Sequence, residues 1–80
     1  MSNTRGQWVA QLAAEVLAYV EQNPGAADTV DGVGRWWLAH HYSASRDDVL
    51  QALEKLVEEG RLVKRISPDG HCLFCKRHAA

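Results

Sequence analysis

Eighty residues with 46% hydrophobic and 24% charged side chains suit a single soluble globular domain. A chain this short buries only about 60% of the surface its unfolded form exposes, so most of its apolar side chains must share one core. The net charge of −1 favours no partner by itself, but it is unevenly spread: residues 1–44 carry −2, residues 45–59 carry −3 and residues 60–80 carry +4.

Several classes fall away at once. No apolar run approaches the roughly 20 residues needed to span a bilayer. Met1-Ser2-Asn3-Thr4-Arg5 has neither the apolar region nor the small-residue cleavage site of a secretory signal. Two cysteines do not make a disulfide framework, so a cytoplasmic protein with reduced thiols is expected. Asp31-Gly32-Val33-Gly34 lacks the spacing and the preceding strand of a phosphate-binding loop. No local motif orients Ser, His and Asp side chains, so no enzyme is expected and no cofactor is implied.

In chain order, residues 1–6 are expected to be flexible, residues 7–77 to form the domain and residues 78–80 to be flexible again. Thr4-Arg5-Gly6-Gln7 has the form of a capping box for a first helix over about 7–22. Val9, Leu12, Ala13, Val16, Leu17 and Val20 form its apolar stripe, and Asn23-Pro24-Gly25 ends it, because the residue before a proline is pushed out of the α region. Pro24 to Ala27 has no strand character. Asp28 or Thr29 caps a second helix over about 29–40, with Val30, Val33 and Trp37 on one face. Gly32 and Gly34 each cost about 1 kcal/mol relative to alanine, tolerable where another helix approaches closely.

His41-Tyr42-Ser43-Ala44 links to a third helix over about 45–59, opened by Ser45-Arg46-Asp47-Asp48 with an N-cap hydroxyl and a carboxylate three residues on. Val49, Leu50, Leu53, Leu56 and Val57 recur at helical spacing, and Gly60 stands where a left-handed residue ends a helix. Strands over about 61–66 and 71–76 flank the turn Ser67-Pro68-Asp69-Gly70. Leu62, Lys64 and Ile66 share one face of the first. In the second, His71, Leu73 and Cys75 alternate with Cys72, Phe74 and Lys76.

Three helices followed by a two-stranded β-hairpin make an α+β domain. With Ser45-Arg46-Asp47-Asp48-Val49 opening the third helix and Leu56-Val57-Glu58-Glu59-Gly60-Arg61-Leu62-Val63 at its exit, the order resembles the winged-helix (winged helix–turn–helix) superfamily across nearly all of residues 7–77. The small strand that usually lies between its first two helices is not legible here. In DNA-binding members the third helix enters the major groove and the hairpin, or wing, touches backbone or minor groove. By position, the resemblance implies Ser43, Ser45, Arg46 and Gln51 near bases, Lys55 farther along, and Lys64, Arg65, His71, Lys76 and Arg77 on the wing. Arg reads guanine and Gln reads adenine, so Arg46 and Gln51 suit that role chemically.

Charge opposes part of this. The third helix carries Asp47, Asp48, Glu54, Glu58 and Glu59, which repel phosphate, while the last quarter of the chain is basic. A small bacterial-type regulator that binds DNA with its wing on the backbone is the leading expectation, as a homodimer because one module offers limited contact area. The rival is a winged-helix module that binds a protein through Trp36 or the acidic helix. Neighbouring helical residues point about 100° apart, so Trp36 and Trp37 cannot both bury fully. Trp37 belongs in the core, while Trp36 either packs on the first helix or hairpin or stands exposed as an anchor that Trp8 and Tyr19 extend.

Cys72, Cys75 and His78 offer three zinc ligands, with His71, His40 or His41 as a fourth, but residues three apart in a strand point to opposite faces. A narrower resemblance is to small winged-helix accessory proteins of bacterial ferrous-iron transport, which carry cysteines in the wing. The longer cysteine-rich loop of that family is missing here, so a metal-linked accessory role is a minor alternative and structural cysteines are expected.

Overall fold

A computed structural model describes residues 4–38 and 44–77. The first helix, α1 (Thr4–Gln22), begins within the segment expected to be flexible. It buries Val9, Leu12, Ala13, Val16 and Val20 and leaves Leu17 half-buried, as one stripe of a 3.6-residue repeat requires. After Pro24, the residues Ala27–Asp28 form a short strand, β1. The second helix, α2 (Val30–Gly32), continues as a π-helical turn over Val33–Trp37. The third, α3 (Arg46–Glu58), leads to strands β2 (Leu62–Ile66) and β3 (Cys72–Lys76). The chain is thus α+β, with three helices and a three-stranded antiparallel sheet in the order β1-β3-β2.

The sheet corrects the expectation of a two-stranded hairpin. Ala27 pairs with Cys75 and Asp28 with Phe74, so β1 occupies the free edge of β3 and makes it the central strand. Two residues are too few to display the alternation that marks a strand; β3 supplies the backbone partners that make them one.

The second helix departs from the expected α-helix over 29–40, whose last residues lie outside those described. Thr29 caps it by accepting a hydrogen bond from the Gly32 amide at 3.1 Å, and the Asp28 carboxylate accepts one from the Thr29 amide at 2.9 Å. A methyl group on Gly32 would overlap that carboxylate, so the close approach is made by Asp28 and not by another helix. At Gly34 a methyl group would meet Val49 of α3 at an ordinary 3.6 Å. The Leu38 amide then reaches back five residues to the Val33 carbonyl at 3.0 Å. In an α-helix Leu38 would lie about 140° round from Val33. The wider turn brings it back over Val33, so that Val33, Trp37 and Leu38 all bury. Trp37 stacks on Tyr19 of α1, ring centroids 4.9 Å apart and planes within 14°.

In α3, Val49, Ala52, Leu53 and Leu56 face the core and Leu50 and Val57 are half-buried. Leu62 and Phe74, both fully buried, close the core from the sheet. The Ser45 hydroxyl accepts from the Asp48 amide at 3.1 Å, capping the start of the helix. At its end Gly60 takes φ 77, the Arg61 amide bonds the Leu56 carbonyl at 2.8 Å and the Gly60 amide bonds Val57 at 3.0 Å, a Schellman motif. Because any other residue strains at that φ, Gly60→Ala is expected to cost roughly 1 kcal/mol, a fall in Tm of about 4–8 °C by calorimetry. An unchanged Tm would contradict the left-handed cap.

Candidate nucleic-acid interface

The hairpin turn decides where the basic residues go. The Gly70 amide bonds the Ser67 carbonyl at 2.9 Å with Gly70 at φ 89, and the Ser67 amide bonds the His71 carbonyl at 2.8 Å. Counting outward from that closing pair sets Leu62 opposite Lys76, Lys64 opposite Phe74 and Ile66 opposite Cys72. Leu62 and Phe74 identify this as the core-facing side of the sheet. Val63 opposite Cys75 and Arg65 opposite Leu73 therefore face outward. The same alternation continues to Arg61 and Arg77, whose backbones meet through the Arg77 amide and the Arg61 carbonyl at 3.2 Å.

The cations expected to act together are thus divided. Lys64 and Lys76 lie on the core-facing side, whereas Arg65 lies on the outer side with Arg77 following by the continued alternation, and His71 lines a cleft with Thr29, Val30, Asp31, Arg46 and Cys72. Lys64 is also occupied: its ammonium stands 3.7 Å from Glu54 and 5.8 Å from the centre of the Phe74 ring. Arg77 lies beside Gly60, at the C-terminal end of α3, where helix carbonyls favour a cation. Arg61 was not singled out from sequence as a site residue, yet it completes the outer group. Its signal was countable, since the turn sets the register and the register sets Arg61 against Arg77.

Helix α3 is less free than its position suggests. Ser45 spends its hydroxyl on the cap. Arg46 Nε sits 3.1 Å from Asp31 Oδ1, with both side chains well exposed, so the pair is worth little but holds the guanidinium against α2. Lys55 pairs with Glu59 one turn on, at 3.2 Å. Gln51 points outward into a shallow groove of about 380 Å³ between α1 and α3, lined by Val9, Leu50, Gln51, Glu54, Lys55 and Glu58. Among the described residues no cation lies within ion-pair distance of Asp47 or Glu58, and no carboxylate within that distance of Arg61, Arg65, Lys76 or Arg77. Internal pairing therefore leaves α3 acidic and the outer sheet face basic. Ser43 lies outside the described residues.

The aromatic residues separate as well. Trp36 is 65% exposed and stands outside the core cluster. Trp8 and Tyr19 do not extend it as exposed neighbours. Trp8 is half-buried and donates its indole N–H to Asp48 at 3.1 Å, and Tyr19 is stacked on Trp37. Cys72 is half-buried on the core-facing side, and Cys75 is buried on the other between Ala27 and Val63. Among the described residues no three His, Cys, Asp or Glu side chains are grouped to hold a metal ion; His40, His41 and His78 lie outside them. Among the described residues no helix is long and apolar enough to cross a membrane. No family model, curated protein or solved structure matches this chain.

At the hairpin tip the Ser67 hydroxyl accepts from the His71 amide at 3.1 Å and donates to the Asp69 carboxylate. That bond, helped by the Asp69 backbone amide and by His71, holds the Asp69 carboxyl below its ordinary range. A lowered folded-state value stabilises above the ordinary carboxylate range and is lost as pH falls through the folded value. Ser67→Ala should therefore raise the Asp69 titration toward the ordinary value, measured by NMR. Trp8→Phe removes the bond between α1 and α3 and should lower stability by about 1 kcal/mol in denaturant unfolding.

Proposed function

We propose that the protein is a winged-helix module that binds nucleic acid, gripping the phosphate backbone with the outer face of its wing. One observation carries this reading: Arg65 faces outward, the alternation continued through the Arg77–Arg61 backbone bond extends that face to Arg61 and Arg77, and none of the three has a carboxylate within ion-pair distance among the described residues. Like charges at facing positions of adjacent strands repel, so the Arg61–Arg77 pair is relieved when a phosphate lies between them. The winged-helix assignment is supported by a short strand between the first two helices, paired to the hairpin, and by the short link from the second helix to α3.

In this reading α3 contributes less than in members that insert it into the major groove. Arg46 must leave Asp31 to reach a base, and Asp47 and Glu58 repel the backbone. Gln51 is the outward residue best suited to a base edge. The role is that of a small cytoplasmic regulator of transcription with no catalytic step.

A second reading has its own observation. Trp36 and the neighbouring Arg35 are exposed on the π-helical turn, and exposed Trp and Arg are the side chains that most often anchor protein partners. Titration of duplex DNA by fluorescence anisotropy separates the two. Three phosphate contacts predict a log–log salt slope of about −3. Arg65→Glu should abolish binding, Lys76→Glu should weaken it much less, and Trp36→Ala should leave it intact. Absence of binding at low salt would overturn the nucleic-acid reading. A partner protein held through high salt and released by Trp36→Ala would establish the second.

A further inference from the structure

The outer sheet face and the α1–α3 groove are opposites in charge and alike in construction. The sheet face has a small apolar centre of Val63, Leu73 and Ala27 beside Arg61, Arg65 and Arg77. The groove has a floor of Val9 and Leu50, and its rim carries Glu54 and Glu58 beside Gln51 and Lys55. Protein interfaces have this construction, an apolar centre inside a polar rim. Among the described residues the arginines have no carboxylate and Glu58 no cation within ion-pair distance, while Glu54 is met by Lys64 and Lys55 by Glu59; Glu58 thus carries the groove's uncompensated charge, and each surface holds charge that the other would neutralise.

We infer that copies of this chain associate head to tail, with the basic outer sheet face of one seated on the acidic α1–α3 groove of the next. Charge selects this geometry over a twofold one. Two sheet faces brought together would set arginine on arginine, and two grooves, whose Glu54 and Lys55 already have partners, would add one unanswered Glu58 to another. A contact between unlike patches leaves one free patch of each kind at the ends, so it propagates as an open chain unless its rotation closes a ring. The contact is small and electrostatic, hence weak and sensitive to salt. It stands without the nucleic-acid reading. Should both hold, phosphate and a second copy compete for the same arginines, and bound nucleic acid disassembles the chains.

Sedimentation equilibrium of the full-length protein tests this directly. At about 0.01 M salt, where charges act over roughly 30 Å, the weight-average mass should climb with concentration beyond that of a dimer. At about 1 M salt, where the range is roughly 3 Å, it should fall to the monomer. Arg65→Glu and Glu58→Lys, each checked for folding by circular dichroism, should separately weaken association at least about tenfold. Mixed in equal amounts, the two variants should regain the association that each alone has lost, since the native face of one meets the native groove of the other and the exchanged face meets the exchanged groove. The double variant, with both charges exchanged, should recover the chains. A wild-type protein that stays monomeric at low salt, or that saturates as a dimer, would overturn the inference. So would single variants that associate as wild type, or a mixture that fails to pair. Glu58→Lys should leave DNA affinity undiminished, so loss of association and loss of DNA binding are read apart.

Discussion

The pairing of β2 with β3 decides which side of the sheet every charge in the last quarter of the chain occupies. In a ladder of period two, a slip of one residue would turn Phe74 and Leu62 outward and Arg65 inward. Three features hold the register: the Ser67–Gly70 turn with its left-handed glycine, the closing bond from Ser67 to His71, and the burial of Phe74 against the helices. The Gly60 cap brings the chain out of α3 in the right direction for Leu62 to join the core. The separation of arginines from lysines follows from this register.

The second constraint is the crowding around α2. Thr29, Asp28 and Gly32 form one hydrogen-bonded corner in which the edge strand, the helix cap and the absence of a side chain depend on each other. Directly after it, the backbone widens into a π turn so that Trp37 and Leu38 both reach the core. Trp36 is turned to solvent by the same geometry. Its exposure results from burying its two neighbours in sequence, and it leaves a large aromatic surface beside Arg35.

The surface charges form a pattern only once internal pairs are removed. Arg46, Lys55 and Lys64, three cations that position alone would assign to DNA, each have a carboxylate beside them. These exposed pairs add little stability individually. Their larger effect is on the field: they neutralise the cations nearest α3 and leave the outer sheet face as the basic pole.

The elements themselves were legible because each carries a local signal. Apolar residues at helical spacing marked α1 and α3, Ser45 and Gly60 marked the limits of α3, and Ser67-Pro68-Asp69-Gly70 marked the turn. Those signals act over a few residues, where the chain's own stereochemistry dominates. Tertiary structure decided the rest. Strand β1 exists because β3 offers it backbone partners, Cys75 for Ala27 and Phe74 for Asp28, that are remote in sequence. The π turn exists because the core has room for both Trp37 and Leu38. The partnerships of Arg46 with Asp31, Lys64 with Glu54 and Trp8 with Asp48 join residues that are remote in sequence. Whether a charge is free or already neutralised depends on distances of a few ångströms in space, and only packing sets those.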